Sequence, residues 1–341
     1  FHTQADPAFC GLGTLVVALN ALGVDPGRLW KGPWRWYSEE LLDCCLPLDA
    51  VRTGGITLDQ FACLARCNGV SAASRRADES TIEAFRADLR AAATSASGPA
   101  LAVSYSRRAL GQTGDGHFSP VAGLHSGRDL ALVLDVARFK YPPHWVPVPA
   151  LHAAMQPLDA ATARPRGWVA LRRSPRPTSL LFTARCVGPG GYEALVAGVA
   201  DLQATLARGP VDDLDAALRT TFTAALALPL TFVRRELALS EHGEAAHTLL
   251  AALHDAPLVR RLTGLVPAGL SLEVAALLVL TLPEAVWSPL SSRARAELRE
   301  LISLVHQPDA LRLEVEHLRR QLADLCALDR GAVCDRCAVA S

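Results

Sequence analysis

The stretch FHTQADPAFCGLGTLVVALNAL, residues 1–22, sets a single cysteine, Cys10, between a proline-containing turn and an apolar run of helical spacing. If the run is a helix from Cys10 to Leu22, then Leu12, Leu15, Val16, Leu19 and Leu22 share one broad face, and the turn residues GVDPGR at 23–28 stop it. Cys10 then stands at a helix start, where unpaired N–H groups and the positive end of the helix dipole favour a thiolate. The plainer reading of such a position is a structural thiol. Which of the two holds depends on what the rest of the chain can bring to it.

A chain of 341 residues, half of them apolar, can bury a large core, and its length suggests two domains. Lys+Arg and Asp+Glu are equal at 34 each, so no net field draws in nucleic acid or an anionic membrane. The longest apolar run, Val274 to Leu280, is far too short to span a bilayer, and no signal-type segment opens the chain. The first residue is Phe, which reads as a fragment or a processed chain. Nine cysteines form an odd set in a chain too long to need a disulfide scaffold, a usage that suits a reducing, cytoplasmic setting.

Up to about Arg173 helical segments mix with strand-like ones, and five of the six tryptophans fall there. The Pro- and Arg-rich RRSPRPTS at 172–179 reads as a linker, which places a first domain at 1–174 and a mostly helical second domain at 178–341. In the first, Thr57-x-x-Gln60 is a capping box ahead of Phe61, Cys63, Leu64 and Cys67, and STIEAF from Ser80 is a second start of that type. HFSPVAGLH and LALVLDVARF, separated by residues 126–129, read as a β-hairpin. Helices are expected in the second domain at 192–207, 211–228, 243–254, 272–282 and from Asp309 to about Leu328. In the last of these, Leu311, Val315, Leu318, Leu322 and Leu325 form a seam that reads as one face on a core.

A nucleophilic cysteine needs a base, and the base an orienting group. His117 starts a strand after the Gly-rich turn QTGDGH. With the hairpin loop centred near Ser126, it lies opposite Asp135, a carboxylate in an otherwise apolar strand. Such a group is costly to bury without a partner; the Nδ1–H of His117 is the natural one, with Arg138 as the alternative. Gln4, six residues before Cys10, could add a side-chain amide to the Cys10 N–H as donors to an oxyanion. Cys63 and Cys67, four apart on one helix face, are core residues or a soft-metal pair, and the adjacent Cys44 and Cys45 point apart. The order Gln-x5-Cys, His, Asp is that of a papain-like thiol enzyme.

Five blocks carry a closer likeness: TQADPAFCGLGTL, ALGVDPGRLWKGPWRWYSEELLDCC, GITLDQFACLARC, QTGDGHFSPVAGLH and LALVLDVARFKYPPHWVP. Together, from about Phe1 to Arg173, they resemble phytochelatin synthase, a thiol acyltransferase. The resemblance implies an α+β, papain-like catalytic domain followed by a variable, mostly α-helical one. It implies that Cys10, His117 and Asp135 act as a triad and that Gln4 is the oxyanion amide. The implied reaction is attack on the Cys–Gly bond of glutathione, loss of glycine, and transfer of γ-Glu-Cys to a second glutathione or a growing phytochelatin. It implies no organic cofactor, and activation by cadmium or other thiophilic ions as metal-thiolate substrates. It also implies a basic acceptor site near Asp135, for which Arg138 and Lys140 are the candidates.

Members of that family normally carry some tens of residues ahead of the Gln-to-Cys motif, so a piece of the catalytic domain is expected upstream. Cys334 and Cys337 form a CxxC near the end of this chain with Cys326 eight residues earlier, a candidate soft-metal tail whose alternative is a set of spare thiols. Two other functions compete: a thiol peptidase that trims glycine from glutathione or its conjugates, and a non-catalytic metal-binding protein. Glutathione, its polymers and heavy-metal ions are the expected partners, nucleic acid and membrane are not, and a homodimer stays open.

Overall fold

A computed structural model describes residues 1–26, 30–44, 46–95, 98–174, 181–186, 191–234, 243–305 and 307–327. The chain divides into two compact units. One comprises Phe1–Asp43 and Leu48–Arg176, the other Cys44–Pro47 and Pro177–Ser341. Among the described residues no helix is long and apolar enough to cross a membrane.

The first unit mixes helices with an antiparallel sheet. In chain order its elements are α1 (Cys10–Ala21), α2 (Leu48–Gly54), α3 (Leu58–Cys67), β1 (Val70–Arg76), α4 (Ile82–Thr94), β2 (Ala100–Ser106), β3 (Gly116–His125), β4 (Leu130–Val133), β5 (His144–Pro147), α5 (Val148–Ala153), β6 (Leu158–Asp159), β7 (Arg164–Pro165) and β8 (Gly167–Arg173). Six strands form one sheet in the order β1-β8-β2-β3-β4-β5, while β6 and β7 pair only with each other.

Side chains alternate across this sheet. On one face Phe118 of β3 stacks on Phe61 of α3 with ring centroids 5.1 Å apart. On the other, Phe85 and Leu89 of α4 and Leu151 of α5 pack with Leu101, Val103, Tyr105 and Trp168. Each such large apolar side chain contributes about 1.5–3 kcal/mol on burial.

The helix starts differ in a way that matters for the site. Before α3 the Thr57 hydroxyl accepts from the Gln60 N–H while the Gln60 amide accepts from the Thr57 N–H, the expected capping box. Before α4 the cap is Thr81, whose side chain accepts from Ala84 N–H; the reading from Ser80 is one residue early, because Thr81 has the extended backbone a cap requires. Before α1 the cap position is Phe9, which offers no side-chain acceptor, so no capping side chain takes up the first N–H groups of α1.

The second unit holds β9 (Phe182–Cys186), α6 (Gly191–Arg208), α7 (Leu214–Ala225), β10 (Leu230–Arg234), α8 (Gly243–Asp255), α9 (Pro257–Leu262), α10 (Leu272–Thr281), α11 (Ser292–Leu301) and α12 (Asp309–Ala327). Helices dominate it, but β9 and β10 form an antiparallel pair that periodicity did not predict. The expected helix at 211–228 is shorter because Asp213 caps it, accepting from Ala216 N–H. In α12 Leu311, Val315, Leu318 and Leu322 are all buried, so the seam does face a core; the side chain of Leu325 lies outside the described residues. The same helix covers the backbone of β9. Glu314 Oε1 accepts from Leu181 and Phe182 N–H, and the Gln321 amide both accepts from and donates to Ala184, as a neighbouring strand would.

Candidate active site

Close approach at the start of α1 requires the two glycines around Leu12. A Cβ on Gly11 would lie 2.4 Å from two side-chain carbons of Ile56, and one on Gly13 would lie 3.0 Å from Glu39 Oε1 and 3.3 Å from Gln4 Cβ. The segment before Cys10 is therefore pressed onto the helix. It is held there by Ala5 N–H, which donates to the buried Glu39 carboxylate, and by Gln4 N–H, which donates to Val136 O at 3.0 Å. That last bond ties the Cys10 segment to the chain just past Asp135.

His117 is the second residue of β3, opposite Tyr105 of β2, and meets that ring edge-on at 5.8 Å. Asp135 is fully buried and lies two residues beyond the end of β4. The hairpin register differs from the one inferred from the sequence. Val121 pairs with Val133 and Gly123 with Leu132, with an irregularity between them, so His117 and Asp135 are not cross-strand partners. They meet because the chain turns after Val133 and brings the Asp135 carboxylate to the imidazole, where Oδ1 also accepts from Ala137 N–H at 2.8 Å.

The nitrogen involved is also not the expected one. His117 Nε2, rather than Nδ1, faces Asp135 Oδ1, at 2.9 Å. That leaves Nδ1 as the ring atom for the hydrogen bond that joins His117 to the Cys10 thiol.

The charges follow from this geometry. Burial pushes the Cys10 thiol up, but the hydrogen bond and charge of His117, with the backbone N–H groups of Phe118 and Gly11, outweigh it and hold the thiol below its ordinary value. Burial pushes His117 down, while Asp135 and the Cys10 sulfur together raise it above its ordinary value. Burial pushes the Asp135 carboxyl up, and His117, Arg107 and Ala137 N–H bring it below the ordinary carboxylate value. Each member favours the ionised form of the next, which is how a thiolate–imidazolium pair is sustained.

The other candidates fare variously. Gln4 is buried against α1, but its Nε2 donates to Asp6 O at 2.8 Å and Pro7 O at 2.9 Å, and its Oε1 has no partner. Arg138 is exposed, donates to Phe1 O at 3.2 Å and lies over the Phe1 ring; Lys140 is exposed as well. Cys63 and Cys67 are buried in α3, and no group of three or more His, Cys, Asp or Glu that could hold a metal is present among the described residues. Cys334 and Cys337 lie outside the described residues, as does the side chain of Cys326.

One residue of the site escaped sequence reasoning. Arg107, on the turn after β2, is buried, and its Nη2 donates to both Asp135 oxygens at 2.7 Å and approaches His117 Nε2 at 2.7 Å. It is half of an Arg107–Arg108 pair whose other member is exposed, and nothing in the pair distinguishes them.

A cysteine at a helix start without a capping side chain, linked through a buried imidazole to a buried carboxylate, is an arrangement that can serve as a thiol nucleophile with its acid–base partner, the class of site that forms acyl-enzymes. The comparisons narrow this class. A family model described as phytochelatin synthase matches residues 1–168. The chain is 50% identical over 186 residues to glutathione gamma-glutamylcysteinyltransferase 3 of Lotus japonicus, a match covering 54% of this chain and 39% of that protein. It is 51% identical over 195 residues to glutathione gamma-glutamylcysteinyltransferase 1 of Triticum aestivum, covering 57% and 39%. It is 48% identical over 179 residues to the glutathione gamma-glutamylcysteinyltransferase of Schizosaccharomyces pombe, covering 52% and 43%. The matched stretch thus spans about two-fifths of the length of these curated relatives.

Proposed function

We propose that this chain is a glutathione γ-glutamylcysteinyltransferase that makes phytochelatins, on a papain-like domain formed by its first unit. The observation that carries the reading is the Cys10–His117–Asp135 row at the start of α1, on a domain about half identical to enzymes of that name. A helix that opens on the nucleophile and packs against an antiparallel sheet carrying the base supports the papain-like fold.

In this reading the Cys10 thiolate attacks the carbonyl carbon of the Cys–Gly bond of glutathione. The oxyanion that forms meets the Cys10 N–H, left without a capping side chain, and the Gln4 amide, which exchanges one of its two carbonyl contacts for it. His117 passes its Nδ1 proton to the departing glycine nitrogen, the C–N bond breaks, and γ-Glu-Cys remains as a thioester on Cys10. The α-amino group of a second glutathione then attacks the thioester, His117 takes up its proton, and Cys10 leaves as thiolate. Arg138 and Lys140, exposed three and five residues past Asp135, hold the carboxylates of this acceptor. Cadmium or another thiophilic ion enters as the metal-thiolate form of the substrate, and Cys326, Cys334 and Cys337 of the helical second domain serve as a soft-metal tail. An odd set of nine cysteines supports a reducing, cytoplasmic setting for this chemistry.

The test is mass spectrometry of products from the purified protein with glutathione, with and without cadmium, beside Cys10→Ser. Free glycine together with (γ-Glu-Cys)2-Gly, both absent from Cys10→Ser, is the expected result. Glycine with γ-Glu-Cys alone would replace the transferase by a hydrolase, and product from Cys10→Ser would remove Cys10 from the chemistry.

A further inference from the structure

His117 has two opposed duties in an acyl transfer. As imidazolium it stabilises the Cys10 thiolate, yet it must also release that proton to the leaving amine. Thiol sites of this kind commonly orient the imidazole with a neutral amide. Here the orienting group is a carboxylate with no exposure at all, 2.9 Å from Nε2, and a bare buried charge so placed would bind the imidazolium proton too tightly to give it up.

We infer that Arg107 is a positioning residue whose charge cancels that of Asp135, so that His117 is oriented by a net-neutral Asp–Arg pair that works like an amide. The inference rests on the acyl-transfer reading of the site. A single nitrogen, Nη2, bridges both carboxylate oxygens at 2.7 Å and stands 2.7 Å from His117 Nε2. This differs from the parallel fork common in Arg–carboxylate pairs, and it brings the cation as near to the imidazole as to the carboxylate.

Arg107 is fixed in that place. Its N–H donates to Asp115 O at 2.9 Å, its guanidinium lies 4.9 Å from the centre of the Tyr141 ring, and its Nε and Nη1 are buried without partners. The titratable groups that face His117 are Cys10 from α1, Tyr105 from β2, Arg107 from the turn after β2, and Asp135 from the segment after β4. The Asp115 carboxylate is turned instead to Ser106 and Arg166.

The test follows two pH profiles: alkylation of Cys10 by iodoacetamide, which needs no substrate, and glycine release from glutathione. Arg107→Gln should move the reactive window to higher pH by about one unit, because loss of a cation raises both the thiol and the imidazolium pKa; Asp135→Asn should move it down by a similar amount. The double variant should bring the window back toward that of the parent, and Arg107→Lys should leave it in place even where turnover falls. A double variant whose window stays with either single variant, or an Arg107→Gln that loses stability without any shift, would overturn the inference. Should Arg107→Gln not fold, the double variant removes the buried charge pair whole and, with Arg107→Lys, still decides the matter. Failure of the acyl-transfer reading looks different: the parent's Cys10 would then alkylate like an ordinary thiol.

Discussion

Replacing Gly11 by alanine tests how tightly the start of α1 at Cys10 is packed. The added methyl carbon would sit 2.4 Å from both Cγ1 and Cδ1 of Ile56, where carbon atoms normally stay about 3.5–4.0 Å apart, so the two groups must separate by roughly 1 Å or more. Overpacking of this kind costs about 1–3 kcal/mol, and the better helix propensity of alanine returns at most about 1 kcal/mol. A net loss of about 1–2 kcal/mol is expected, read as a fall of several degrees in thermal midpoint. Because Gly11 follows Cys10 and its N–H reaches the Cys10 sulfur, alkylation of Cys10 at neutral pH should slow as well. Ile56 is only partly buried, so Ile56→Ala should be mild alone and should relieve Gly11→Ala in the double variant. The reasoning is refuted if Gly11→Ala is as stable and reactive as the parent, or if trimming Ile56 relieves nothing.

Three further outcomes are expected. Gly167→Ala should abolish the native near-ultraviolet circular dichroism of the first unit, since its Cβ would lie 1.9 Å from the backbone oxygen of Arg75 in the paired strand β1; a stable variant would disprove the β1–β8 register. Gln321→Leu should destabilise the second unit by about 1–3 kcal/mol in urea titration, because Ala184 loses both partners for its buried backbone groups; an unchanged midpoint would mean the contact contributes nothing. Asp135, whose carboxyl is pushed up by burial but held below 3.8 overall by His117 and Arg107, contributes stability that is present above that value and lost as pH falls through its native pKa. The destabilisation caused by Asp135→Asn should therefore be full near neutral pH and shrink toward pH 2 in denaturant titrations, and a penalty that grows on acidification would reverse the assigned sign.

What the sequence disclosed and what it withheld divide along one physical line, that between local and non-local causes. The capping box at Thr57 and Gln60 is written within four residues, and it is found as written. Likewise the start of α1 at Cys10 follows from a proline turn and the apolar spacing after it. The hairpin is local enough to be read, but its register is not, because an irregularity between Val121 and Gly123 is decided by packing rather than by the alternation of residue types. His117 and Asp135 were nevertheless paired, for a reason that outlasts the wrong register: a fully buried carboxylate needs donors, and few were near. The same requirement explains why one donor is not enough for this carboxylate. Two carboxylate oxygens have room for several donors, and Ala137 N–H and Arg107 supply the rest. Arg107 comes from a turn 28 residues away, with an exposed arginine beside it, so only the folded sheet selects between the two. The β9–β10 pair was missed for a related reason: its covering partner is a pair of side chains on α12, more than 130 residues along the chain, and no period in the strand itself records that. At this site Cys10, His117 and Asp135 lie in recognisable local settings, whereas Arg107, the cation that meets the Asp135 carboxylate, is brought there by topology alone.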